Sequence, residues 1–141
     1  MLTNNFRLEE FIDPDTFKKY GEQSIWFIDV RIVTLAQFIR ERIGKPCTVN
    51  NWHSGGSYQY SGFRPPTCSI GAKLSQHRFG RGIDLKVKGM TADELRQDIE
   101  NNYSIYRKAG LTTIEDGAYA PTWCHIDIRE TGLDTLKIVK P

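Results

Sequence analysis

Between Ser24 and Ile43 the apolar positions Phe27, Ile28, Ile32, Leu35, Phe38, Ile39 and Ile43 recur at intervals of three and four, which gathers them on one helical face. Gly44 and Pro46 end that helix. Upstream, Phe11-Ile-Asp-Pro-Asp-Thr-Phe17 reads as a short helix or turn, with Pro14 suited to a first helical position after Asp13. Cys47 to Trp52 has the β-branched and aromatic character of a strand, and Ile83-Asp-Leu-Lys-Val87 alternates as a strand does. Thr91-Ala-Asp-Glu94 is a capping box opening a helix to about Asn101, and Leu111 to Glu115 and Trp123 to Ile128 are two further strand candidates. Between Ser54 and Gly71 the density of Gly, Ser, Tyr and Pro predicts a long loop, ordered by Tyr58, Tyr60, Phe63 and Trp52. The order helix, strand, loop, strand, helix, strand, strand predicts an α+β fold: one domain over residues 1–141, with a small antiparallel sheet flanked by helices.

Composition changes this picture little, but it removes some function classes. The formal charge of +2 comes from 19 basic and 17 acidic side chains interspersed along the chain, without the basic stripe that a phosphate backbone requires, so nucleic acid is not an expected partner. No stretch is apolar for long enough to span a bilayer, and the N-terminus lacks the charged start and apolar run of a secretory signal, so synthesis in the cytoplasm without a signal peptide is expected. Cys47, Cys68 and Cys124 are odd in number and lack CxxC spacing; reduced, mostly buried thiols are expected.

The segment Ser75-Gln-His77-Arg-Phe-Gly-Arg-Gly-Ile-Asp84 carries an imidazole and a carboxylate seven positions apart, separated by a glycine-rich turn that can fold His77 over the strand presenting Asp84. In Trp123-Cys-His-Ile-Asp127, strand alternation sends His125 and Asp127 to one face and Cys124 to the other. Two neutral imidazoles and one carboxylate form a standard catalytic zinc set with a fourth position open to water. A lone histidine beside a strand is more often a hydrogen-bonded structural residue than a ligand, and spacing alone does not establish the zinc set.

The run Ser75 to Asp84 resembles the SxHxxGxAxD motif of the zinc D-alanyl-D-alanine carboxypeptidases and their hedgehog-like relatives, and Trp123 to Asp127 resembles their closing WxHxD strand. Ser61-Gly-Phe-Arg64-Pro is similar to the SGYR segment preceding the first motif, so the likeness runs from about Thr48 to Ile128. It implies a hedgehog or D,D-peptidase-like fold, zinc held by His77, Asp84 and His125, substrate contacts by Arg64 and Ser75, and a supporting role for Asp127 in orienting a ligand. Arg64 reads equally as a loop-ordering residue bonded to backbone carbonyls. Gly82 replaces the usual Ala.

One departure bears on chemistry. Many members of that family carry Glu or Asp three residues before the last histidine, as the base that takes a proton from the attacking water, and this chain has Thr122 there. Glu115, from the preceding strand, is the candidate catalytic base in its place, whereas Asp116 reads as a turn residue. His53 has no assigned role, and solvent exposure is its expected state. The implied activity is zinc-dependent hydrolysis of peptidoglycan stem peptides or cross-links, acting at the cell wall or in a phage particle. A non-catalytic zinc-binding module of the same fold is the alternative.

Overall fold

The computed structural model describes residues 1–141 and contains four α-helices and five strands. Helix α1, Pro14–Tyr20, begins where the Asp13 carboxylate accepts from Thr16 N–H at 3.0 Å and Pro14 fills the first turn. Helix α2 spans Val30–Ile43 and ends on Gly44 at φ 69°, a left-handed cap that a side chain would strain. It is shorter than the apolar rhythm predicts: Gly21–Phe27 is a 3₁₀ segment, and Asp29 restarts the chain by capping Arg31 N–H at 3.0 Å. Helix α3, Ala92–Asn101, opens on the expected capping box, with Thr91 and Glu94 exchanging bonds of 3.1 Å. A further helix, α4, covers Tyr103–Lys108.

The strands are β1 Cys47–Thr48, β2 Gly82–Val87, β3 Thr113–Glu115, β4 Cys124–Asp127 and β5 Lys137–Val139, in the order β1-β2-β4-β3-β5. The expected strand from Cys47 to Trp52 stops at Thr48: the chain bends at Val49, Asn50 N–H donates to Glu10 O at 3.0 Å, and Trp52–Ser54 forms a 3₁₀ segment. β1, β2, β4 and β3 pair antiparallel, but β5 runs parallel to β3, so the sheet is mixed and not antiparallel throughout. The reason is topological. The chain reverses after β4 as in a hairpin, yet both sides of β4 are already taken by β2 and β3, so the returning segment pairs with the free edge of β3.

Strand alternation divides the sheet into two chemistries. Ile83, Leu85, Val87, Ile114, Cys124 and Ile126 join the 23-residue core with Leu35, Ile39, Leu95, Ile99 and Tyr106 from the helices. The other face carries Asp84 and Lys86 of β2, Glu115 of β3, and His125 and Asp127 of β4. Asp84 pairs with His125 and Ile114 with Ile126, so the next position along β3 sets Glu115 beside His125. Asp84, His125 and Glu115 therefore form one row across three adjacent strands, roughly 5 Å from strand to strand.

The loop from Val49 to Ser75 covers that polar face, and the N-terminal segment pins it. Asn50 accepts from Ser61 N–H at 2.8 Å and donates to Ile12 O at 3.3 Å, Trp52 donates to Ile12 O at 2.7 Å, and Phe63 stacks on Phe27 with ring centres 5.2 Å apart. Phe63 N–H donates to Phe11 O at 2.8 Å, and the chain approaches so closely there that a Cβ on Gly62 would lie 2.4 Å from the Phe11 carbonyl oxygen. No helix is long and apolar enough to cross a membrane.

Candidate metal centre

His77 lies in the 3₁₀ turn Gln76–Phe79, which Gly80 closes at φ 66° and which delivers the imidazole over β2. Its Nδ1 is 2.8 Å from Gly62 O. A carbonyl can only accept, so Nδ1 carries the proton and Nε2 presents its lone pair. His125 is fixed the other way round: Nε2 donates to Asp127 Oδ2 at 2.9 Å, which leaves Nδ1 facing Asp84 and His77. Nδ1 of His125 lies 3.1 Å from His77 Nε2 and 3.0 Å from Asp84 Oδ1, and His77 Nε2 lies 3.1 Å from Asp84 Oδ1. All three residues are buried, and their ligand atoms form a cluster able to hold a metal ion.

Three acceptors this close in a buried site need positive charge among them. With the protein's own charges alone, that need falls on His125: burial works against its protonation, but bonds to Asp127 and Asp84 outweigh this and push the imidazole up to about 9. His77 moves the opposite way, lowered chiefly by burial. Burial also tends to raise the Asp84 carboxyl, but its contacts with His77 and His125 hold it well below the usual carboxylate range. A proton on His125 Nδ1 has to be shared between Asp84 Oδ1 and His77 Nε2, whereas a cation at the centre would face all three acceptors directly.

The supports of these groups are themselves well bonded. Asp127, fully buried, accepts from Arg129 N at 3.2 Å, Nε at 2.9 Å and Nη2 at 2.6 Å as well as from His125. Arg64 takes the loop-ordering role and also supports a candidate ligand. Its Nε donates to Tyr60 O at 2.8 Å, ordering the loop, and its Nη2 donates to Asp84 Oδ2 at 3.2 Å, holding the oxygen that faces away from the histidines. Ser75 precedes the His77 turn and lines the same cleft of about 460 Å³ with Arg64, Glu115 and Trp123. Glu115 is half-buried there; burial raises its carboxyl, Asp84 adds to the rise, His125 and Arg64 oppose it, and no hydrogen bond holds it.

Other expected placements also appear in the structure. Cys124 is in the core opposite His125, with burial pushing its thiol up to about 12; all three cysteines are free, and Cys47 is the one only partly buried. Asp116 forms the turn after β3 by accepting from Ala118 N–H at 2.9 Å. Thr122 is exposed in the loop before β4, and His53 is exposed with its ring against Trp52. Lys86 is the residue that sequence reasoning passed over. Its Nζ donates to Ser61 Oγ at 3.0 Å and to Asp84 O at 3.1 Å, lies 4.1 Å from the Tyr58 ring centre, and is lowered to about 8 by burial against the opposing pull of Asp84. Its position two residues after Asp84 on an alternating strand was the available signal. Comparison of the chain with protein-family models, curated proteins and solved structures finds no match.

Proposed function

We propose that the chain is a zinc-dependent peptidase that hydrolyses stem peptides or cross-links of peptidoglycan. The observation that carries the zinc part is the convergence of two imidazole nitrogens and a carboxylate oxygen, each with its other side already bonded. Zinc ligands at ~2.0–2.1 Å in a tetrahedron stand ~3.3 Å apart, close to the 3.0–3.1 Å separations between these atoms. Two nitrogens and one oxygen suit zinc better than the all-oxygen shells of calcium or magnesium.

Bound there, zinc would supply Lewis acidity, polarising a peptide carbonyl and acidifying water. The chain's own residues supply the rest. Asp127 holds His125 in one tautomer, Gly62 O does the same for His77, and Arg64 fixes the rotation of Asp84. Glu115, unpaired and raised by burial, takes the proton of the attacking water and returns it to the leaving amine. Ser75 and Arg64 border the cleft where the peptide lies. The wall peptide as substrate, with action at the cell wall or in a phage particle, rests on the motif resemblance.

The test is release of peptides from purified peptidoglycan by the protein, with and without a chelator. Chelator-sensitive release supports the proposal. Stoichiometric zinc without any release assigns the chain to the non-catalytic alternative, which the exposed Thr122 in the usual base position favours.

A further inference from the structure

Arg96 projects from α3 into the interior and is 5% exposed, so its guanidinium must find its partners within the protein. Its Nε and Nη2 donate to Asp93 Oδ1 at 3.2 and 2.8 Å, and its Nη1 donates to Trp123 O at 3.0 Å. The ion pair does not account for the burial. The Asp93 side chain is 83% exposed, and a carboxylate in water returns little of the cost of drying its partner. What the guanidinium also touches is the connection between β3 and β4. It lies against Gly117, where a Cβ would stand 2.8 Å from Nη2 and 2.9 Å from Nε, and it bonds Trp123 at the far end. Gly117 follows Glu115 by two residues, and Trp123 precedes His125 by two.

Strand pairing stops just short of these groups. β3 and β4 are in register at Thr113–Asp127 and Ile114–Ile126, and the ladder ends there, one position before Glu115 and His125. β5 holds Glu115 from its outer side, but β5 is an edge strand with Lys137 and Ile138 exposed. His125 is better fixed, by its pairing with Asp84 and its bond to Asp127. The proposed base and the last proposed ligand therefore stand on two strand ends whose connection is gripped near both of its ends by one side chain. Trp123 lines the metal cleft, and Glu115 borders both that cleft and a cavity of about 410 Å³ beside Arg96.

We propose that Arg96 is a positioning residue: braced across the β3–β4 connection, it sets Glu115 against the metal centre and holds Trp123 in the wall of the cleft. The inference rests on the peptidase reading for the role of Glu115, whereas the brace rests on contacts alone. Arg96 neither lines the cleft nor bonds a proposed ligand, so it acts only through these two residues.

The experiment follows hydrolysis of soluble peptidoglycan fragments by zinc-loaded parent, Arg96→Met and Gly117→Ala, each alone and combined with Glu115→Gln, with rates normalised to bound zinc. Arg96→Met removes the fork, and Gly117→Ala displaces the guanidinium while keeping both charges of its ion pair. Arg96→Met should keep its zinc and lower kcat by about 10- to 100-fold with KM changed less than about threefold, the scale of a base moved by ~1 Å. Gly117→Ala should lower kcat in the same sense by a smaller factor, about threefold or more. In the Glu115→Gln background neither substitution should cost more than about twofold, because the group it displaces has already lost its function. A kcat that stays within about twofold of the parent in Arg96→Met, or a loss that multiplies with that of Glu115→Gln, overturns the brace and leaves the peptidase reading standing. Should Arg96→Met fail to fold, Gly117→Ala decides by the same coupling to Glu115→Gln. If the parent hydrolyses nothing, the peptidase reading falls, and ¹⁹F NMR of protein carrying 5-fluorotryptophan decides the brace. The Trp123 signal should then move in both variants while those of Trp26 and Trp52 keep their places, and an unmoved Trp123 signal overturns it.

Discussion

Replacing Asp127 by Asn probes how the metal centre is held without touching a proposed ligand. Each carboxylate oxygen accepts two hydrogen bonds: Oδ2 from His125 Nε2 and Arg129 Nη2, Oδ1 from Arg129 N and Nε. An amide has one accepting oxygen, so either orientation turns an NH₂ toward two donors. If the NH₂ faces His125, the imidazole must move its proton to Nδ1, the atom aimed at the metal. If it faces Arg129, His125 keeps its tautomer but loses a charged partner and the basicity that partner confers. Supporting residues of this kind typically cost 10–100-fold in metal affinity, or ~1.4–2.8 kcal/mol. Competition with a chromogenic chelator measures that loss, and far-UV circular dichroism on the same samples checks the fold. Arg129→Met, which removes two of the donors and leaves the His125 bond in place, should cost less affinity than Asp127→Asn. A folded Asp127→Asn protein whose zinc affinity stays within twofold of the parent would refute the tautomer argument.

Purified protein should carry about one zinc per chain; elemental analysis should show most of it lost in His77→Ala, Asp84→Ala and His125→Ala, and chelation should lower the parent's melting temperature. Retention of zinc by Asp84→Ala removes that residue from the ligand set. Glu115→Gln should keep zinc and fold while hydrolysis falls by roughly 10²–10⁴-fold, and an undiminished rate would exclude Glu115 as the base. Cys124→Ser should keep zinc stoichiometry and lose about 1–3 kcal/mol in denaturant titration, because it buries a hydroxyl where the core offers no partner; loss of zinc with stability intact would show the strand facing to be wrong. Asp98, far from the centre, is held below the usual aspartate value by bonds from Arg42 and Tyr106, against the opposing effect of burial. Its contribution is present above the unfolded value and disappears as pH falls through the lower folded one, so the stability gap between parent and Asp98→Asn should be full at pH 6 and shrink below pH ~4. A gap that does not change with pH would contradict this.

Where an element's cause is local, the sequence disclosed it. The Thr91–Glu94 box, the Asp13-Pro14 start and the alternation of β2 and β4 each involve residues a few positions apart, and each appears in the structure. The break before α2 escaped the periodic pattern because Phe27 and Ile28 keep the apolar rhythm while Asp29 interrupts only the backbone. β5 is short and largely exposed, and it exists because β3 has an unused edge, a fact about topology that Lys137-Ile-Val139 does not carry alone. In the site, the three clustered residues were legible from motif spacing. Glu115 needed the register to become a neighbour of His125, and Lys86 needed the loop folded over it before its burial could be known.

The close contact between Gly62 and Phe11 ties the proton arrangement of the metal centre to a stretch of chain distant in sequence from every proposed ligand. The oxygen that fixes the His77 tautomer belongs to a residue with no room for even a methyl group, because the Phe11 backbone fills that space. Directed evolution of the cleft would therefore meet an immovable point outside the cleft. Any substitution at Gly62 must push the loop outward or deform the N-terminal segment, and in both cases the carbonyl leaves its place under His77. Library designs that diversify the Ser61-Gly-Phe-Arg64 stretch to change substrate range should keep this glycine, and grafting the motif onto another scaffold would need a counterpart to Phe11 as well as the three ligands.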